Sequence, residues 1–224
     1  QDMDQALFHV EEMIREGMDI VDIGGESSRP GHTKISAQEE IGRVVPVIEN
    51  LKRRFDIPVS LDTCKGDVAK AGISAGADLI NDIRGLKYDD KMAQVIAEAE
   101  VPCCLMHNRD NTVYKSFITD VIHDLQESVS LAKKAGIADD KIILDPGVGF
   151  GKTYEQNLEI IAKLEKLHTW GYPLLLGCSR KSVIGLTLDL PVSERLEGTL
   201  VTTAVGVLKG CSFIRVHDVK ENVR

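Results

Sequence analysis

The sequence predicts an α/β fold in which residues 1–224 form a single (β/α)₈ barrel domain, and three observations support this prediction. Seven short apolar segments lack polar alternation, which is typical of parallel strands buried on both faces. Segments with helical periodicity separate consecutive strands. The polar residues that close the strands recur every ~32 residues, close to the ~31 residues per unit of a 250-residue barrel.

An open, doubly wound sheet is the main alternative, because it also alternates strands and helices. Such a sheet concentrates reactive side chains at one switch point, whereas here nearly every strand ends in one. The barrel pattern is incomplete at both ends, since seven strands are visible where eight are needed. We expect the first strand to precede Gln1, and we expect residues 218–224 to be the start of a final helix.

The strands are expected at residues 19–23, 58–62, 78–82, 101–107, 142–145, 173–177 and 212–217. The segments between them carry apolar residues at helical spacing, such as Ile41, Val44 and Ile48. Ser36 and Glu39 predict a capping box in front of that helix. Several helices are expected to end at a glycine, which adopts the left-handed conformation of a helix terminus without strain. These glycines are Gly17, Gly76, Gly136, Gly171 and Gly210.

The clearest loop motif is Asp-Pro-Gly-Val-Gly-Phe-Gly-Lys at residues 145–152. It follows a buried strand and precedes an amphipathic helix, so Asp145 lies at the strand end where α/β folds place their chemistry. Two other glycine loops are excluded. Pro146 stands where a P-loop needs glycine, and Lys152 stands where a dinucleotide fingerprint needs its last glycine.

Composition excludes several classes of protein. No apolar run approaches the ~18 residues of a membrane span. The net charge of −8 argues against nonspecific nucleic-acid binding, which needs a basic face. The five cysteines are an odd number without a C-x-x-C pair, so we expect free thiols in a reducing cytoplasm. No His/Cys cluster has zinc spacing, and no Gly-x-Ser-x-Gly elbow is present.

The seven strands end in polar residues, and parallel strands bring these ends to one face. The ends are Glu26, Asp62, Asp82, His107, Asp145, Ser179 and His217. We expect Asp62, Asn81, Asp145 and Lys181 to surround one cavity, with Arg29, Arg215 and His217 nearby. Any one of these residues has an ordinary structural alternative: Asp62 or Asp82 could cap a helix, and His107 could be a structural histidine.

The expected set has two chemical halves. Two carboxylates, an amide and a lysine can hydrogen-bond a flat heterocycle edge bearing N–H, NH₂ and C=O groups. Arginine and histidine, with the hydroxyls of Ser27 and Ser28, suit a phosphate or diphosphate. The residues therefore predict a heterocyclic substrate that carries a phosphorylated group.

Seven motifs in order resemble the dihydropteroate synthase family. They are Asp-Ile-Gly-Gly-Glu-Ser-Ser-Arg-Pro-Gly (22–31), Ser-Leu-Asp-Thr (60–63), Ile-Asn-Asp-Ile (80–83), Leu-Met-His (105–107), the loop at 145–152, Ser-Arg-Lys-Ser (179–182) and Arg-Val-His-Asp-Val (215–219). The resemblance covers essentially the whole chain. It implies a TIM barrel that joins 4-aminobenzoate to 6-hydroxymethyl-7,8-dihydropterin diphosphate in folate synthesis and releases diphosphate.

The resemblance also implies site residues, motif by motif. The pterin ring would contact Asp62, Asn81, Met106, Asp145, Phe150 and Lys181, of which Asp62, Asp145 and Lys181 would be catalytic. The diphosphate and the aminobenzoate would contact Ser28, Arg29, Ser182, Arg215 and His217. The family typically uses Mg²⁺ on the diphosphate, is often dimeric and is a sulfonamide target. A cytoplasmic homodimer acting on small molecules, without nucleic-acid or membrane partners, is therefore expected.

One family feature is absent from residues 1–224. The family begins with a strand and a loop around Asn-Val-Thr-Pro-Asp-Ser-Phe, whose Asn is expected to meet the metal and the diphosphate. We therefore expect no metal ligand in the given chain and place that Asn before Gln1. Ser28 also stands where the family often has Thr, a change that keeps the hydroxyl.

These residues lead to a mechanistic hypothesis and two alternatives. Diphosphate would leave first, Asp62 and Asp145 would stabilise the resulting pterin methylene cation, and the neutral arylamine would attack it. The first alternative is a pterin-dependent methyltransferase domain with a corrinoid protein as its partner, although a methyl carrier brings no diphosphate to a cationic cluster. The second is a protein that binds pterins without turning them over.

Overall fold

A computed structural model describes residues 3–27 and 33–224, except for the side chain of Thr169. The seven strands are β1 (Val21–Gly24), β2 (Val59–Asp62), β3 (Leu79–Asp82), β4 (Cys103–Met106), β5 (Ile142–Asp145), β6 (Leu175–Leu176) and β7 (Phe213–Ile214). The helices are α1 (Met3–Arg15), α2 (Ala37–Arg54), α3 (Gly66–Ser74), α4 (Met92–Ala99), α5 (Phe117–Ala135), α6 (Tyr154–Ala162), α7 (Ser182–Leu188), α8 (Leu196–Leu208) and α9 (Val219–Val223). Short 3₁₀ segments occupy Asp139–Lys141, Leu164–Trp170 and Val192–Glu194.

All described strands run parallel and neighbour one another in sequence order. Strands β1 to β5 form one ladder, and β6 pairs with β7. A single bridge between Leu144 and Leu174 connects the two groups. Strand order, parallel direction and alternation with helices are those of the predicted α/β barrel. Within the described residues β7 and β1 are not paired, and the first strand expected before Gln1 stays a prediction.

Each predicted strand is confirmed, but several are shorter than expected. The first begins at Val21, and β6 and β7 contain two residues each. One helix was expected between β6 and β7, and this prediction is wrong, because two helices, α7 and α8, occupy that connection. Residues 219–223 do form a helix, as expected. The five glycines predicted to end helices all have φ between 76° and 111°, the left-handed region that glycine adopts without strain.

The core lies between the sheet and the ring of helices. Leu105 and Cys103 on β4 belong to this helix–sheet core, together with side chains such as Ile48 of α2. Cys104 and Met106 are also buried but lie outside that core cluster. Because successive strand residues point to opposite faces, they face the barrel interior. All five cysteines are free thiols, as expected. No helix in the described ranges has the length and apolar character needed to cross a bilayer.

Candidate active site

The carboxyl ends of the strands bring the predicted acids and the amide to one open end of the barrel, which is called the mouth below. Asp62 ends β2 and pairs with Asn81 of β3 in the parallel ladder. Met106, at the end of β4, pairs in the same way with Asp145 of β5. All four residues are largely buried, and the alternation of the strands directs them to the barrel side. The prediction that distant strand ends converge is confirmed for these residues.

Arg215 lies at this mouth, immediately after β7, and contacts two carboxylates. Its Nε lies 2.7 Å from Oδ2 of Asp22 on β1, and its Nη2 lies 3.5 Å from Oδ2 of Asp62. Asp22 was not predicted as a site residue. Its position in the middle of a short apolar segment gave one signal, since an ionisable group in such a strand needs a partner.

Burial changes the protonation of the acids. The pKa of Asp62 is raised to about 8, first by burial and then by the neighbouring Asp22 carboxylate, against the lowering effect of Arg215. Burial also raises the pKa of Asp145, although Lys181 opposes this. At neutral pH Asp62 is therefore mainly a carboxylic acid, able to donate as well as accept a hydrogen bond. Perturbed acids in a cleft are typical of functional sites.

Lys181 lies close to the carboxylate of Asp145 and to the ring of Phe150. Its Nζ donates to the carbonyl of Val148 and lies 4.9 Å from the centre of the Phe150 ring. Burial lowers the pKa of Lys181, and the Asp145 carboxylate opposes this shift. The predicted group of Asp145, Phe150 and Lys181 is therefore assembled around the loop at residues 145–152, called the central loop below.

A second group of side chains stabilises the central loop through a hydrogen-bond network. Nζ of Lys152 lies 2.8 Å from Nδ1 of His107 and donates to the carbonyls of Gly147 and Phe150, at 2.9 and 3.0 Å. Nε2 of His107 lies 3.0 Å from Asp124. This arrangement makes His107 Nδ1 an acceptor and His107 Nε2 a donor. The structural alternative for His107 is the correct one.

Burial strongly shifts the pKa values of two side chains in this second network. The pKa of Lys152 is lowered to about 7, chiefly by burial. Burial and the neighbouring Lys152 lower the pKa of His107 to about 3, so the imidazole is neutral. Arg109 closes the network by donating to both oxygens of Asp124, at 2.6 and 3.1 Å.

Two further polar strand ends have structural roles. The carboxylate of Asp82 accepts hydrogen bonds from the backbone N–H groups of Arg84 and Leu86, at 2.8 and 2.7 Å, and so caps a turn. The hydroxyl of Ser179 accepts from the backbone N–H of His217 and lies 2.9 Å from Nδ1 of that ring. Ser179 therefore orients His217.

The residues predicted for the diphosphate and aminobenzoate are only partly described. Arg215 is at the mouth, and His217 follows it two residues later. Ser182 is exposed and begins α7, directly after Lys181. Ser28 and Arg29 lie outside the described residues, so their expected roles stay predictions.

Two cavities adjoin this set of side chains, where one was expected: Asp62 lines the first, and Asn81 and Lys181 line the second. The first has a volume of about 560 Å³ and is lined by residues that include Asp62, Asn108 and Phe150. The second, of about 390 Å³, includes Asn81, Lys181, Arg215 and Asp22. Volumes of ~300–1,000 Å³ are typical of small-molecule sites. The mouth therefore has room for a flat heterocycle beside a cation.

The described residues do not by themselves form a metal centre at this mouth. Within the described ranges, one group of metal-ligating side chains lies close together, namely His123, Asp124 and Glu127 on α5. Asp124 is already hydrogen-bonded to His107 and Arg109. The group is thus part of the structural network rather than of the mouth.

Comparison with known proteins gives a consistent result over the whole chain. The family model described as pterin-binding enzyme matches residues 1–217. A dihydropteroate synthase from Clostridium beijerinckii is 60% identical over 224 residues, which are 100% of this chain and 83% of that protein. A solved dihydropteroate synthase from Clostridium difficile, with pteroic acid, has a TM-score of 0.97 at 46% identity, covering 99% of this chain and 84% of that one. The Xanthomonas albilineans enzyme, solved with 4-aminobenzoic acid, has a TM-score of 0.95 at 37% identity, covering 99% and 81%.

Proposed function

The chain belongs to the pterin-binding enzyme family and has the function of a dihydropteroate synthase, and we propose that the side chains at the mouth of its barrel carry out this condensation. The reaction joins 6-hydroxymethyl-7,8-dihydropterin diphosphate to 4-aminobenzoate and yields 7,8-dihydropteroate and diphosphate. The observation that carries the proposal is the position of Arg215 beside Asp62, which places a cation for the leaving group next to an acid for the ring.

The pterin ring lies, in this proposal, against the acids and the amide. Asp62, Asn81 and Asp145 hydrogen-bond its polar edge, and Lys181 donates to a ring acceptor. Met106 and Phe150 pack on its faces. The raised pKa of Asp62 supports this arrangement, because a protonated carboxyl can donate to a ring nitrogen while its other oxygen accepts.

The diphosphate lies on the cationic side. Arg215 and His217 take its oxygens, with Ser28 and Arg29 proposed to help and Ser182 bordering the aminobenzoate. Departure of diphosphate breaks the bond between the methylene carbon and oxygen, and the electron pair leaves with the diphosphate. Positive charge then develops on the pterin methylene, close to Asp145 and Asp62.

The second step forms a carbon–nitrogen bond. The neutral arylamine of 4-aminobenzoate attacks the methylene carbon, and the resulting ammonium loses one proton to solvent or to diphosphate. No protein nucleophile is needed, because an arylamine is already neutral at pH 7. The protein's part is to orient the two substrates and to stabilise opposite charges at separate places.

Mg²⁺ is proposed to arrive with the diphosphate. This ion usually keeps several waters and binds through substrate phosphates with one or two carboxylates, rather than in an all-protein cage. Its chemistry when bound is to neutralise charge on the leaving diphosphate.

A cytoplasmic homodimer is the proposed state of the protein. Supporting evidence for a dimer is an exposed apolar surface on α7, α8 and the segment between them. Its most exposed members are Leu186, Leu188, Val192, Val201, Val207 and Leu208. Contiguous exposed apolar surface is typical of protein interfaces. Light scattering at several concentrations measures the mass, and Val201→Glu should shift it toward the monomer.

Mixing the protein with both substrates tests the function directly. We expect stoichiometric release of diphosphate and formation of 7,8-dihydropteroate. Asp62→Asn should lower kcat/KM by ~100-fold or more, because the amide keeps a donor and an acceptor for the ring but cannot ionise to balance the charge that develops on the pterin methylene. Asp67→Asn is the matched control, since Asp67 is an exposed acid on α3 paired with Lys91.

Two results would contradict the proposal. Near-normal turnover of Asp62→Asn would remove Asp62 from the mechanism. Pterin binding without release of diphosphate by the unmodified protein would instead favour the alternative of a pterin-binding protein.

A further inference from the structure

Asp22 is a partly buried carboxylate with one oxygen in use and one oxygen without a hydrogen-bond partner. Oδ2 lies 2.7 Å from Nε of Arg215 and 3.4 Å from Nδ2 of Asn81. Oδ1 is buried, and it is the one such side-chain atom in the described residues that lacks a partner. A buried acceptor without a partner costs roughly 1–3 kcal/mol. The fold keeps this costly group in the middle of β1.

The contact between Asp22 and Arg215 bridges two strands that have no backbone ladder between them in the described part of the chain. Asp22 lies on β1 and Arg215 follows β7. Asp62 holds Arg215 less firmly than Asp22 does, because Oδ2 of Asp62 is 3.5 Å from Nη2 of Arg215. The Arg215 side chain is 47% exposed, so a long, mobile group is fixed mainly at Nε.

We propose that Asp22 is a positioning residue for the diphosphate site: it holds Nε of Arg215 and thereby directs the two terminal guanidinium nitrogens toward Asp62 and the leaving group. The proposal rests on the function stated above and adds a residue to it. Asp22 touches neither substrate and acts through Arg215. A guanidinium held at Nε keeps its terminal N–H groups for a phosphate, which it can bind through two parallel hydrogen bonds.

The same position makes Asp22 part of the charge balance around Asp62. The groups acting on Asp62 come from several elements, namely Asp22 of β1, Arg215 after β7, Asp82 of β3 and Glu40 of α2. Removing the charge of Asp22 takes away the largest electrostatic contribution that raises the pKa of Asp62. Loss of Asp22 should therefore move the limb of the pH–rate profile that reports the ionisation of Asp62 to lower pH.

Two single variants and their combination test the proposal. For Asp22→Asn we expect KM for the pterin diphosphate and Ki for inorganic pyrophosphate to rise about tenfold, as for the loss of one charged hydrogen bond. Binding of 6-hydroxymethylpterin without the diphosphate should change less than about twofold. Arg215→Ala should weaken pyrophosphate more, and adding Asp22→Asn to it should have less than about a twofold further effect.

Control variants separate positioning from other roles. Asp19→Asn changes an exposed acid just before the same strand and should leave all constants unchanged. Asp22→Glu keeps the carboxylate and should recover part of the pyrophosphate affinity, and it also serves if Asp22→Asn does not fold.

Three outcomes would overturn the proposal. Independent, additive effects of Asp22→Asn and Arg215→Ala on pyrophosphate would show that Asp22 does not act through Arg215. An equal loss of affinity for the pterin lacking diphosphate would make Asp22 a ring ligand. Unchanged constants in both Asp22 variants would make the contact merely structural. Failure of the wild-type protein to release diphosphate would contradict the function itself, which is a separate result.

Discussion

The mouth of the barrel has two regions that use buried charge in opposite ways. In the central loop, Lys152 has three acceptors within 3.0 Å and His107 has a partner on each ring nitrogen. In the Arg215 cluster, defined here as Asp22, Asp62 and Arg215, one carboxylate oxygen has no partner and one contact is 3.5 Å long. The first region is internally satisfied and the second is not.

The difference separates the Lys152–His107 network, which supports the central loop, from the side chains that meet the ligand. A fully hydrogen-bonded network gains rigidity and has little left to offer a ligand. An incompletely paired cluster is costly in the free protein, and here it leaves the terminal N–H groups of Arg215 available to a ligand. Both regions contain strongly shifted pKa values, so a perturbed pKa alone does not tell a catalytic group from a structural one.

The largest expected effect is on the central loop. Gly147 has φ of +69°, and a Cβ there would lie 1.9 Å from the carbonyl oxygen of His107. Gly147→Ala should therefore lower the free energy of unfolding by ~3 kcal/mol or more, measured by urea denaturation. Gly42→Ala is the control, because nothing lies within 4 Å of its Cβ in α2, and it should stabilise by ~0.5–1 kcal/mol. A loss below about 1 kcal/mol for Gly147→Ala would show that the loop adapts easily.

The next effect concerns the lysine beneath that loop. Lys152→Met removes the donor of the buried His107 Nδ1 and of the partly buried Phe150 carbonyl, while the Gly147 carbonyl keeps the N–H of Phe150 at 3.1 Å, so we expect a loss of ~2–3 kcal/mol in the free energy of unfolding. The control is Lys163→Met, since Lys163 is an exposed member of an i,i+4 pair with Glu159 worth less than ~0.5 kcal/mol. Equal stabilities of the two variants would contradict the view that the hydrogen bonds of Lys152 stabilise the central loop.

The smallest expected effect has the opposite sign and lies in the Arg215 cluster. Because the pKa of Asp62 is raised to about 8, the folded state binds a proton that the unfolded chain has released above its ordinary pKa of 3.8. The stability associated with Asp62 is complete below that ordinary value and is lost as pH rises toward 8. Asp62→Asn cannot titrate, so its advantage over the parent should grow between pH 5 and pH 8.

Calorimetry at the two pH values measures this last effect. A gain of ~1 kcal/mol at pH 8 corresponds to a melting temperature higher by ~2–4 °C for a chain of this size. A variant that is less stable than the parent at pH 8 would mean that Asp62 is well paired in the free protein. The contrast between the two regions would then be wrong.

Much of the fold could be predicted because its signals are local. Short apolar runs predicted every described strand, and five glycines predicted the ends of helical segments, whereas α2, α4 and α7 end at Phe55, Glu100 and Asp189. The acids at strand ends followed, because parallel strands meet at one face. Capping chemistry was only partly predicted. Ser36 accepts from the N–H of Glu39, but the Glu39 carboxylate pairs with Arg43, whereas Thr153 and Gln156 form a complete capping box that was not predicted.

The remainder depends on contacts that sequence spacing does not encode. Asp22 has its role through Arg215, almost the whole chain length away, and no local pattern reports that pairing. The structural role of His107 likewise depends on Lys152 and Asp124. Helix α7 has seven residues, too short to show a periodicity. Helix α8 has apolar residues on both faces, so that Val207 is 60% exposed, and its sequence does not show which face packs inward.

The adjacent thiols on β4 offer a way to observe the barrel opening. Cys103 points toward the surrounding helices, whereas Cys104 points to the interior beneath the site. Burial raises the pKa of both thiols, to about 12 for Cys103, so neither is an effective nucleophile while it stays enclosed. Alkylation followed by peptide mapping would therefore measure two opening rates, that of the helix–sheet core at Cys103 and that of the barrel interior at Cys104. A bound substrate should slow modification at Cys104 more than at Cys103.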